Sequence, residues 1–330
     1  MIRRRKFIAG LGSAAAWPVV ARAQQDGRVR RVGVLTGGVE TDSESQARIL
    51  TFRQGLADLG WAEGRNVRLD TRWASTDVAR MQSYARELVD LAADVILTTN
   101  TISTQAMRDA TRTIPIVFVN LSDPVVTGVV SNLARPEANI TGFMGWEYSL
   151  AGKGLSLLKD VAPRLARVAL LFNPDTAPYA PFYVRAAKDA GERLALKITA
   201  AGVRDVAAVE PAIAAMAGSD DAGLLVPPDS FNNLNRATTI ALAAKYRMPA
   251  IYYARVFVAN GGLMSYGLDQ RLQYRDGATY VDRILRGAKV SDLPIQFSTK
   301  FELVINLKTA KAIGLTIPEA FLLRADEVIE

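Results

Sequence analysis

Apolar positions along this chain switch repeatedly between a continuous or period-two pattern and a period near 3.6, the signature of alternating strands and helices. Residues 32–35 predict a first strand. Residues 43–59 predict a helix with Ile49, Phe52, Leu56 and Leu59 on one stripe, closed by Gly60. Residues 67–73 alternate as a second strand, and 77–91 predict a helix whose inner face carries Met81, Tyr84, Ala85, Leu88 and Leu91. A third strand at 95–97, a helix at 105–112 and a fourth strand at 114–119 continue the series, and 140–144 reads as a strand leaving this unit. The same rhythm restarts at Arg167, where Arg-Val-Ala-Leu-Leu echoes Arg-Val-Gly-Val-Leu at 31–35. Helices at 180–190, 205–216 and 232–246 then alternate with strands at 195–199 and 223–226. Repeated βα units of this kind predict an α/β fold, two doubly wound lobes that face each other across a shared cleft.

Ligands of such sheets bind beyond the carboxyl ends of the strands, so the loops there are the candidate site. The third strand runs into Thr98, Thr99, Asn100, Thr101, Ser103 and Thr104, small polar residues ahead of a helix. Backbone N–H groups and the positive end of a helix suit a carboxylate. Asn100, Thr101, Ser103 and Thr104 are therefore candidate ligand contacts, although any one of them would also serve as a helix cap. Ser122 and Asp123 follow the fourth strand, with Asp123 before Pro124 also fitting a helix start. In the second unit Asn173 follows the first strand and Asp229 the third. Asp229 could pair with a ligand ammonium group or simply cap the next helix. Tyr252 and Tyr266 could stack on an apolar ligand or belong to the core.

Composition narrows the chemistry. The chain has 330 residues, 49% hydrophobic and 22% charged, the balance of a soluble globular protein. It contains no His and no Cys, which rules out Ser-His-Asp and Cys-His catalysis, zinc-finger sites and disulfides. Neither a cofactor nor a metal site is expected. The net charge of +7 is concentrated at one end: Arg3, Arg4, Arg5, Lys6 and Arg22 meet no acid before residue 24. Without those five, 35 basic residues face 33 acidic ones, a net of +2. No nucleic-acid partner is indicated.

The first 23 residues read as an export signal rather than as fold. Arg3 to Lys6 form a charged head, 7–20 a mildly apolar Ala/Gly-rich core, and Ala21-Arg22-Ala23 an A-x-A cleavage site. Arg4-Arg5-Lys6-Phe7-Ile8 fits a twin-arginine signal, so a periplasmic protein cleaved after Ala23 is expected. Gly10-Leu-Gly12 imitates a dinucleotide fingerprint but follows no strand.

Several motifs taken together resemble a known family. They include Phe52-Arg-Gln-Gly-Leu, Leu59-Gly-Trp, Glu63-Gly-Arg-Asn, Ile114-Pro-Ile-Val-Phe and Ser122-Asp-Pro. Asn139-Ile-Thr-Gly-Phe, Leu170-Leu-Phe-Asn-Pro and Phe301-Glu-Leu-Val-Ile-Asn-Leu-Lys complete the set. From about Arg30 to Glu330 the chain resembles the ABC-transporter substrate-binding proteins typified by the tryptophan-binding lipoproteins of Gram-positive bacteria. The resemblance implies the type I periplasmic-binding-protein architecture, a hinge crossed about three times, closure on a ligand and no catalysis. It implies one lobe from 30–145 plus roughly 268–302, and the other from 146–267 plus roughly 303–330. With no Cys for lipid attachment, a free periplasmic protein is implied, and a monomer is expected. Tryptophan specificity is not carried over.

The function expected is capture of a small organic ligand, an amino acid or related carboxylate, for delivery to an ABC transporter permease in the inner membrane. A ligand-sensing subunit of a membrane receptor would share the fold and cleft. An enzyme is disfavoured: there is no G-x-S-x-G and no G-x-x-x-x-G-K-[ST], and Gly262-Leu-Met-Ser265-Tyr-Gly267 has no base to serve it.

Overall fold

The computed structural model describes residues 28–136, 139–218, 221–298 and 300–330. The export signal and its glycine pattern lie outside the described residues.

Strands β1 (Arg30–Thr36), β2 (Val67–Trp73), β3 (Val95–Thr98), β4 (Ile116–Ser122) and β5 (Ile140–Trp146) belong to one sheet. Helices α1 (Ser43–Asp58), α2 (Val78–Asp90) and α3 (Thr101–Ala110) connect its early strands. This six-stranded sheet has the order β11-β5-β4-β3-β1-β2, all neighbours parallel, with β11 (Gln296–Phe297) at its edge. Both faces are covered, as the unbroken apolar run of β3 requires. Val95 and Leu97 pack with Phe52 and Leu56, while Ile96 on the other face packs with Met81, Leu88 and Met107.

The second sheet is seven-stranded, with β6 (Arg167–Phe172), β7 (Lys197–Gly202), β8 (Ala222–Val226), β9 (Ala250–Tyr252) and β10 (Met264–Leu268) parallel. Strand β12 (Phe301–Asn306) adds antiparallel to β10, and β13 (Glu327–Ile329) parallel to β12. Its helices include α4 (Leu150–Val161), α5 (Ala180–Arg193), α6 (Val209–Ala214), α7 (Ser230–Leu234) and α8 (Arg236–Lys245). Helix α9 (Arg255–Ala259) follows β9, whereas α10 (Gln270–Leu285) returns to the first sheet and packs on α1. That contact is close: a Cβ on Gly55 would lie 2.9 Å from Cβ of Ala278. The backbone therefore passes between the sheets after Trp146, after Leu268 and after Phe297.

Local departures from the sequence pattern have identifiable causes. Helix α3 begins at Thr101, four residues earlier than the 105–112 pattern suggests. Asn100 caps it in a reciprocal box with Ser103, which compensates for the weak helix preference of the hydroxyl residues. The expected helix at 232–246 is two helices, parted at Asn235, whose Nδ2 donates to the Phe231 carbonyl. The 205–216 segment holds a short 3₁₀ turn (Val206–Ala208) followed by α6. Asp123 heads a turn rather than a helix, its Oδ1 accepting from Val126 N. Ser265 sits within β10, paired opposite Val304 and beside Tyr252, so no strand-to-helix elbow exists there.

Candidate functional site

The carboxyl ends of the two sheets enclose a polar cleft holding about 600 Å³ of empty space, its mouth included. From the first sheet it receives the β1–α1 loop at Gly37 and Gly38, the start of α3, and Asn120 at the end of β4. From the second it receives Thr176, Tyr179 and the β8–α7 loop from Pro228 to Ser230. Trp146 and Gln270, both at passages between the sheets, also line it.

Polar contacts across the cleft tie the two sides together. Asn100 Nδ2 donates to Ser230 Oγ at 2.7 Å. Arg236 forms a short ion pair with Asp42, a pair only 16% and 15% exposed. Asp42 also caps α1; burial pushes its carboxyl up, but Arg236 and Ser45 hold it below the usual range. Gly37 stands at this junction without a side chain for a steric reason. A Cβ there would lie 2.0 Å from Asn100 Nδ2 and 3.2 Å from Ser230 Oγ.

Two buried charged side chains line the cleft from opposite sides. Arg48, on α1, pairs through Nε with Glu44 at 3.3 Å; among the described residues its Nη groups have no hydrogen-bond partner. Asp229, at the end of β8, is 4% exposed. It caps α7 by accepting from Phe231 N at 3.0 Å, and it also accepts from Thr176 Oγ1 at 2.5 Å and Asn173 N at 2.8 Å. Burial nevertheless pushes its carboxyl up to about 6, since desolvation outweighs those three hydrogen bonds.

The cleft also contains buried polar atoms that have no hydrogen-bond partner among the described residues: Asn120 Oδ1, Trp146 Nε1, Asn233 Oδ1 and Gln270 Oε1. Such atoms are expensive inside a protein and mark where a polar ligand would bond. Asn120 is further marked by its backbone, held at φ 55 where β4 slips its register against β5. Bulges and left-handed non-glycine residues of this kind aim side chains at sites.

The sequence candidates divide accordingly. Asn100, Thr101 and Asp229 line the cleft. Ser103 and Thr104 are wholly buried and bonded within their own lobe. Ser103 Oγ accepts from Thr99 N at 3.1 Å and donates to the Asn100 carbonyl at 3.0 Å; Thr104 Oγ1 lies 2.8 Å from Thr98 Oγ1. They build the loop, and the helix start spends donors on its own capping box. Ser122 is buried at the end of β4, with its amide to Thr101 Oγ1 at 3.4 Å, and Asp123 holds the turn after it. Asn173 braces neighbouring loops, donating to the Arg204 carbonyl at 3.0 Å and accepting from Asp175 N at 2.8 Å. Tyr252 and Tyr266 lie off the polar cleft, stacked on Phe257 and Phe301. Sequence reasoning missed Arg48, Trp146, Gln270 and Asn233 as wall residues. Arg48 and Gln270 sit on helices, 222 positions apart, with no local signal.

Two doubly wound α/β lobes with a polar cleft between their strand ends define the type I periplasmic-binding-protein architecture. The chain belongs to the ABC transporter substrate binding protein family, whose model matches residues 31–329. A tyrosine-binding protein of Clostridioides difficile is 28% identical over 265 residues, covering 80% of this chain and 75% of that protein. Among solved structures, a conserved domain protein of Vibrio cholerae superposes with a TM-score of 0.85 at 28% identity, covering 91% of this chain and all of that one. An ABC domain from Streptococcus pneumoniae in complex with L-Trp superposes with a TM-score of 0.81 at 23% identity, over 91% of this chain and 99% of the other.

Proposed function

We propose that this protein captures an amino acid, or a closely related carboxylate, between its lobes and delivers it to the permease of an ABC importer. The observation that carries this reading is a polar cleft with Arg48 on one side and Asp229 on the other. A guanidinium with unengaged Nη groups suits a ligand carboxylate, and a buried carboxylate suits an ammonium group. The amide oxygens of Asn120, Asn233 and Gln270, without a hydrogen-bond partner among the described residues, offer acceptors for the remaining bonds. The tyrosine-binding relative supports the same ligand class. The lobes, 30–145 with 268–302 and 146–267 with 303–330, close about the three backbone passages. Export through the twin-arginine signal would place the mature chain in the periplasm as a monomer. Catalysis plays no part in this reading.

Calorimetry of the mature chain against the common amino acids and simple aromatic acids tests it. At least one amino acid should bind and raise the melting temperature. Arg48→Gln should weaken that ligand by roughly 1.5–3 kcal/mol, the worth of a hydrogen bond to charge. A protein that binds no amino acid, or binds it equally well without the guanidinium, would defeat the proposal.

A further inference from the structure

The guanidinium of Arg48 is held from behind. Arg48 lines the cleft, whereas Glu44, one turn earlier on α1, lines the open space on its flank. Arg48 borders both spaces, and its Nε donates to Glu44 Oε1 at 3.3 Å. With Nε tied back, the two Nη groups are the part of the fork left for the cleft. The charge of Arg48 is felt along that wall. Burial raises the pKa of the Tyr253 and Tyr274 hydroxyls there, and Arg48 offsets part of the rise.

An acid behind a ligand-binding guanidinium has two opposed effects. It holds a long side chain in one orientation, so that a ligand need not impose that order on binding. Left unbalanced, it would also repel a ligand carboxylate on the far side of the guanidinium. Arg271 removes the second effect. It reaches Glu44 from 227 positions later in the chain, its Nη2 donating to Oε2 at 2.8 Å and its Nε to Oε1 at 3.4 Å. Burial pushes the Glu44 carboxyl up, but the Arg271 hydrogen bond and the charges of Arg48 and Arg271 hold it below the usual range. Two guanidinium groups therefore share one ionised carboxylate, two positive charges against one negative, and leave a net +1. The Glu44 side chain is only 17% exposed, so water screens this cluster less than it would a surface pair. Arg271 also directly follows Gln270 of the cleft wall at the start of α10, which ties the bridge to a passage between the sheets.

We propose that Glu44 is the positioning residue of the ligand site: it fixes Arg48 with its Nη groups toward the ligand carboxylate, and Arg271 neutralises Glu44 so that the carboxylate is not repelled. Neither Glu44 nor Arg271 touches the ligand; both act through Arg48. The inference rests on the reading of the cleft as an amino-acid site.

Glu44→Gln and Arg271→Gln test it, each alone and combined with Arg48→Gln. The measurement is calorimetry with each of the common L-amino acids and with the amides of those that bind, whose head groups carry no negative charge. With Arg48 present, each variant should weaken the amino acid by about tenfold or more and its amide by less than about threefold. In the Arg48→Gln background neither should change amino-acid affinity by more than about twofold, because the group they act through is gone. A bridge that only staples α1 to α10 would weaken acid and amide alike, and equally in both backgrounds. That result overturns the inference while the cleft reading survives. Where Arg48→Gln binds too weakly to measure, the comparison of acid with amide decides. Arg271, with its side chain 53% exposed, keeps the test open if Glu44→Gln fails to fold. Binding of no amino acid, or binding indifferent to Arg48→Gln, overturns both.

Discussion

Asp229→Asn separates a carboxylate that serves a ligand from one that serves only its own lobe. In the empty protein burial pushes this carboxyl from 3.8 to about 6. The shift is roughly two units, or about 3 kcal/mol. Because the folded-state value is raised, the folded protein holds the proton more tightly than the unfolded chain does. The associated stability is fully present below pH 3.8 and is lost as pH rises through about 6. At neutral pH the ionised carboxylate is therefore a liability to the empty protein. A ligand ammonium group beside it would draw the pKa back down. Wild-type affinity should then climb between about pH 5 and pH 7.5, by as much as tenfold or more. Asparagine cannot ionise, so the variant should lose this pH dependence and about 2–5 kcal/mol of binding. Asparagine is an adequate helix cap, yet here both carboxylate oxygens accept backbone or hydroxyl protons. An amide nitrogen placed before Asn173 N–H, or before Thr176 and Phe231, leaves buried donors facing one another at a cost of about 1–3 kcal/mol. The variant should accordingly be less stable than wild type near pH 5 and close to it near pH 7.5. Denaturant unfolding and calorimetry at both pH values measure the two effects. Wild-type affinity that is flat with pH and equalled by the variant would remove Asp229 from the ligand site.

Two further outcomes follow from the placement of other residues. Ser103→Ala with Thr104→Ala removes the acceptor of the Thr99 and Asn100 amides and a buried hydroxyl pair. Denaturant unfolding should show a loss of roughly 1–3 kcal/mol, with ligand affinity within about threefold of wild type; a large affinity loss at constant stability would return these hydroxyls to the ligand. Arg4→Lys with Arg5→Lys should abolish the periplasmic pool in cell fractionation, and normal yield would point to the general secretory route.

Local pattern alone determined most of the elements. The run 67–73 is a strand over those residues, and its alternating Val67, Leu69 and Trp73 pack on one core. The continuous Val95-Ile96-Leu97 is buried on both faces, as such runs require. The rule that ligands meet strands at their carboxyl ends reached Asn100, Thr101 and Asp229. It reached Ser103, Thr104, Ser122 and Asn173 as well, since a polar residue near a strand end reads the same whether it faces a ligand or braces a loop. Only the fold decides between them. In Ser103 and Thr104 the hydroxyls turn back into their own turn and are buried there. Arg48 and Gln270 carried no signal: each is one polar residue on a largely buried helix face, and a wall is formed only when α1, α10 and Trp146 converge. Sequence specifies local conformation through short-range sterics and periodic burial. Which polar groups share one buried space depends on contacts hundreds of residues apart, and those exist only once both sheets have assembled.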